Sequence, residues 1–237
     1  MATSWAQVDA AAMVPIDDER LNEQLEISPA LYYRRMSMYV KAAIPMLSKP
    51  PELLAHITGE MQEPSYGEYE WTSTDDSMLG DTVVQTGMTG YELCSCVICE
   101  MLTDGRILQT PYAVTYDAET GDVTFPQQTA AGIMYQLDFY TDGSFADLTE
   151  TQMRLFAQAI AVVWDQRFTS NWLDRTPKIM DSSFMTVNEA NWTEKTSQAH
   201  MRKELQFWDE LQKYEQLCAY QTVVASSGWA RGGARLV

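Results

Sequence analysis

Residues 114–125 read Val-Thr-Tyr-Asp-Ala-Glu-Thr-Gly-Asp-Val-Thr-Phe, which is the clearest structural signal in the chain. Two runs rich in β-branched and aromatic residues flank a polar segment that ends in Gly121. Glycine tolerates the positive φ that tight hairpin loops require. The stretch therefore predicts a β-hairpin, and the sequence around it predicts more strands of the same kind.

Short candidate strands and turn signals fill residues 66–146 on both sides of this hairpin. Asp-Gly pairs at 104–105 and 142–143 mark two of the turns. Several short strands at this spacing are typical of a small antiparallel β-sandwich or barrel. The candidate strands cover 82–86, 91–101, 107–109, 113–116, 122–125 and 134–140.

Helical patterns occupy the chain on either side of the β segment. Ser4 and the Ser28-Pro29 pair are typical helix starts, and Val14-Pro15 is expected to interrupt the first helix. Capping boxes at 149–152 and 191–194 predict the starts of two later helices, with a loop over 178–189 between them. The predicted fold class is α+β, a helical frame with an inserted β domain.

The domain boundaries follow from these patterns. Residues 1–65 and 147–224 are assigned to a helical domain, 66–146 to the inserted β domain, and 225–237 to a flexible C-terminal tail. The tail is rich in Gly and Ser, contains no Asp or Glu, and includes Trp229, Arg231 and Arg235. It is interpreted either as a frayed terminus or as an arm that becomes ordered against an acidic neighbour, with Trp229 as its anchor.

The last predicted helix has two adjacent apolar stripes, and two stripes imply two neighbours, within the chain or across a subunit boundary. One stripe is Met201, Leu205 and Trp208; the other is Phe207, Leu211, Tyr214 and Cys218. The residues predicted to form a protein interface are Phe207, Leu211, Tyr214, Trp229, Arg231 and Arg235.

The charge balance is strongly acidic, with 33 Asp and Glu against 16 Lys and Arg and a net charge of −17. Such a surface argues against binding to nucleic-acid phosphates or to an anionic membrane. It is interpreted as a means of solubility by self-repulsion, or as a surface that DNA passes without adhering. The N-terminal residues lack the features of a signal peptide, so synthesis and assembly are expected in the cytoplasm.

No pattern predicts catalysis, a metal or a cofactor. Cys94, Cys96 and Cys99 fall in one predicted strand, where alternation would scatter them rather than converge them on a metal ion. Neither His56 nor His200 has the spacing of a metal or catalytic motif, and phosphate-binding glycine loops are lacking. The prediction is a protein without enzymatic activity; an enzyme that uses carboxylates would need a deep cleft with perturbed acids.

Aromatic residues of the β segment raise a second hypothesis, because exposed aromatic rings can stack on sugars. A buried aromatic set would instead form the core of a small sheet. The alternative function is thus a binding module whose β domain recognises carbohydrate or a protein receptor. The residues concerned are Tyr66, Tyr69, Trp71, Tyr91, Tyr112, Tyr116, Phe125, Tyr135, Phe139 and Tyr140.

Three stretches, at 31–39 (LYYRRMSMY), 116–125 (YDAETGDVTF) and 181–184 (DSSF), carry a resemblance to virion structural proteins of tailed bacteriophages. In layout the chain is similar to the head–tail connector (neck adaptor) proteins that lie below the portal ring, although its β insert is larger than the hairpin of small helical adaptors. The resemblance implies a homo-oligomeric ring around a DNA channel, in contact with portal and tail proteins. It also implies a place in the virion, without catalysis or sequence-specific DNA binding; neck, tail and baseplate positions stay open.

Overall fold

The computed structural model describes residues 2–75, 80–126, 130–174 and 185–226. For residue 20 and residues 167–196 it describes at most the backbone and not the side chains. Its helices are α1 Trp5–Ile16, α2 Glu19–Ile27, α3 Pro29–Ala43, α4 Pro51–Gly59, α5 Glu150–Asp174 and α6 Met185–Ser226, and a 3-10 helix covers Ile44–Leu47. Its strands are β1 Thr3–Ser4, β2 Ser65–Thr72, β3 Thr82–Gln85, β4 Glu92–Met101, β5 Ile107–Pro111, β6 Thr115–Asp117, β7 Asp122–Phe125, β8 Met134–Thr141 and β9 Ser144–Phe145. The predicted α+β class, with helices flanking a β insert, is confirmed.

The β strands from β2 to β8 form two antiparallel sheets, with strand orders β2-β8-β4-β5 and β3-β7-β6. The hairpin predicted at 114–125 is present as β6 and β7, and Gly121 has a φ of +75°. The sheets remain separate, so within the described residues the β insert is a sandwich and no barrel is closed.

One buried cluster joins the two sheets. The three-stranded sheet contributes Val84, Val123 and Phe125, and the four-stranded sheet contributes Cys96, Tyr135, Leu137 and Phe139. Since both sheets supply side chains to the same cluster, burial of apolar surface holds them face to face.

The helix starts that depend on capping are mostly as predicted. Ser4 and Gln7 form a reciprocal capping box at the start of α1. At the start of α5, the backbone N–H of Gln152 donates a hydrogen bond to the Thr149 hydroxyl at 3.3 Å. In return, the backbone N–H of Thr149 donates one to Gln152 Oε1 at 2.8 Å. These bonds satisfy amides that have no partner inside the helix.

Three predicted boundaries are wrong. Pro15 does not interrupt α1, which continues to Ile16; it lies in the last turn, so it affects few backbone bonds before Asp17 ends the helix in the left-handed region. The helix that starts at Ser28-Pro29 is predicted from its sequence pattern to run to about Leu47, but it is α-helical only to Ala43, and its last turn, which contains Pro45, is 3-10. α6 begins at Met185, so Asn191 lies inside the helix and is not its cap.

Two compact units divide the chain. One comprises residues 1–17, 38–61 and 145–237, and the other comprises 18–37 and 62–144. The unit with the sandwich therefore also includes α2 and the first half of α3, which the sequence assigned to the helical domain. Contacts inside this unit explain the difference: the Tyr33 ring stacks on Tyr140 at 4.3 Å, and Arg34 forms a 2.5 Å ion pair with Glu68.

In the other unit, α1 and α5 pack together around a core of apolar side chains. Trp5 stacks on Phe145 with ring centroids 4.8 Å apart, and Phe145 meets the edge of Phe156 at 5.3 Å. α6 packs along α5, and this helix pair carries the candidate site described next.

Candidate functional site: the exposed faces of α6

The buried side of α6 faces α5. Phe207 is 0% and Leu211 3% exposed. Gln152 Nε2 donates a hydrogen bond to Tyr214 Oη at 3.0 Å, and Gln158 Nε2 donates one to Glu210 Oε2 at 3.1 Å. The two helices are thus antiparallel, because the earlier residue of α5 meets the later residue of α6.

An ion pair extends this contact toward the start of α6. Lys203 Nζ lies 3.1 Å from Asp165 Oδ2 and 3.1 Å from the carbonyl oxygen of Pro15. The His200 ring lies between two acids, with Nδ1 3.9 Å from Asp165 and Nε2 3.9 Å from Glu204. His200 is therefore explained as part of the packing between helices of one chain.

This geometry changes the reading of the predicted interface. Phe207 and Leu211 are buried within the chain and offer no surface to a second subunit, and Tyr214 is half-buried and bonded to α5. The other three predicted residues, Trp229, Arg231 and Arg235, lie outside the described residues. Of the two stripes, the one that faces solvent is the one left out of the predicted site.

The exposed apolar surface of α6 consists of two patches. The N-terminal patch is Met201, Leu205 and Trp208, and the C-terminal patch is Leu217, Tyr220 and Val223. These six side chains are 44–68% exposed. Large apolar side chains in solvent are unremarkable singly, but a grouped set on one helix makes this part of α6 a candidate interaction surface.

The C-terminal patch lies where α6 passes the start of α5. Tyr214 is bonded to Gln152, in the first turn of α5, and every residue from 219 to 223 is exposed. Residues 219–223 of α6 therefore form an exposed surface beyond this contact with α5.

A second exposed apolar group lies at the tip of the β4–β5 hairpin. Met101 is 80% exposed, and Leu102, Ile107 and Leu108 are exposed as well. β5 is an edge strand, and all five of its residues are exposed. Uncharged edge strands of this kind are open to pairing with another chain.

The aromatic residues of the sandwich are core, not surface. Each of the ten is buried or half-buried. Phe125 illustrates their packing, with its centroid 4.2 Å from that of Trp71 and 4.9 Å from that of Tyr135. A row of exposed rings, which stacking on sugars requires, does not occur among them.

The three clustered cysteines also belong to the sandwich. Cys96 is in the buried cluster, and the register of β4 against β8 shifts at Cys94, so strict alternation ends there. Burial, reinforced by the charge of Asp138, raises the pKa of Cys94 to about 11 and that of Cys96 to about 12. Both thiols are therefore protonated at neutral pH and poor nucleophiles or metal ligands.

The remaining candidate groups have partners inside the chain. Arg34 pairs with Glu68 and lies 5.4 Å from the Tyr66 ring centroid, and Arg35 donates a 2.6 Å hydrogen bond to Gln24. His56 Nε2 is 3.0 Å from the carbonyl oxygen of Asp147. In the described part of the chain, His, Cys, Asp and Glu form no group of three that could hold a metal ion, and no helix there is long and apolar enough to span a bilayer.

Comparison with protein families, curated proteins and solved structures finds no match to this chain. The functional conclusion therefore depends on the residues and surfaces of the chain itself.

Proposed function

We propose that this chain is a structural component of a tailed-phage virion, a head–tail connector or neck adaptor that forms a ring between portal and tail. The observation that carries the proposal is the exposed apolar surface of α6, with its two patches of large side chains. A surface of this kind is expected of a subunit that completes its packing by assembly. The layout of helices around a β insert supports the same class of protein.

The acidic composition supports the second part of the proposal. A net charge of −17 repels the phosphates of double-stranded DNA, which would pass through the ring without specific binding. In this role the chain acts by contacts with copies of itself and with portal and tail proteins. It performs no catalytic step and requires no cofactor.

The alternative is a tail or baseplate module whose sandwich binds carbohydrate or a protein receptor. Sugar stacking needs exposed rings, and the aromatic residues of the sandwich are buried or half-buried. We therefore favour the connector over a carbohydrate-binding module. The exposed apolar tip of the β4–β5 hairpin is compatible with either function, because a connector or a receptor-binding module could each use it to contact another protein.

The test is assembly of the full chain with its neighbours. Purified protein is imaged by negative stain alone and after mixing with the portal and tail proteins of the same virion, and mass is measured on the same samples. Rings, or addition of the chain to a portal ring, are expected. A stable monomer that binds neither neighbour overturns the proposal, and binding on a glycan array would favour the alternative.

A further inference from the structure

We draw no further inference here: the strongest candidate, the exposed uncharged edge strand β5 with the apolar tip of the β4–β5 hairpin, carries nothing because nothing in the described part of the chain shows what covers it.

Discussion

Replacing two leucines of α6 by alanine, one at a time, tests the assignment of its buried and exposed sides. Leu211 is 3% exposed and Leu205 is 68% exposed. Removal of a buried leucine side chain costs about 2–5 kcal/mol, from lost transfer free energy plus the cavity. Because about two thirds of Leu205 already faces water, its replacement is expected to cost less than about 1 kcal/mol.

The pair is matched, because both changes are Leu→Ala in one helix and the difference in helix propensity cancels. At about 2–4 °C per kcal/mol, a 3 kcal/mol loss in Leu211→Ala lowers the melting temperature by about 6–12 °C, whereas Leu205→Ala lowers it by less than about 4 °C. The assay is thermal unfolding followed by circular dichroism at 222 nm, at a protein concentration low enough to keep the chain monomeric. Equal shifts, or a larger shift for Leu205→Ala, would refute the assignment.

Three further predictions concern the hairpin, a helix cap and pH. Gly121→Ala is expected to destabilise the sandwich, because φ at Gly121 is +75° and the added Cβ would lie 3.0 Å from the Met88 backbone nitrogen. Gly59→Ala is the control, since a Cβ there meets nothing within 4 Å. Urea unfolding measures the free energy of unfolding of both variants. Thr149→Ala is expected to cost about 1 kcal/mol through the lost cap, measured the same way, and a neutral effect would contradict the capping bonds. Burial raises the pKa of Cys96 to about 12 in the folded chain, above its ordinary value near 9, so between pH 9 and 12 the unfolded chain releases a proton that the folded chain retains. The free energy of unfolding therefore falls as pH rises through this range, by up to about 1.4 kcal/mol per pH unit. Cys96→Ala removes this group and is expected to show a shallower decline.

Local signals predicted the parts of the fold whose cause is local. The hairpin at 114–125 follows from β-branched runs around a glycine, and the starts of α1 and α5 follow from capping boxes. In each case the deciding interaction joins residues a few positions apart. Such interactions are fully visible in the sequence.

Features that depend on distant neighbours were not predictable in the same way. Both stripes of α6 have helical spacing, and only the position of α5 shows that Phe207 and Leu211 are buried while Leu205 is exposed. The capping signal at Asn191 was overridden, because the helix starts at Met185. The grouping of residues 18–37 with the strands depends on contacts such as Tyr33 with Tyr140, more than 100 positions away.

For the candidate site, the sequence predicted both apolar stripes of α6 but selected the buried stripe as the interface. The signal that could have corrected this is the C-terminal patch. Leu217, Tyr220 and Val223 are exposed and lie C-terminal to Tyr214, which bonds to the first turn of α5. Apolar residues that continue beyond this contact indicate the side of α6 that faces solvent.

The most direct test of the central claim, that α6 drives assembly of identical subunits, is the mass of the full chain by light scattering over a concentration series, with negative-stain images of each sample. The account predicts a rise from the 26.9 kDa monomer to a closed ring of fixed mass. A monodisperse monomer at every concentration would contradict assembly through α6.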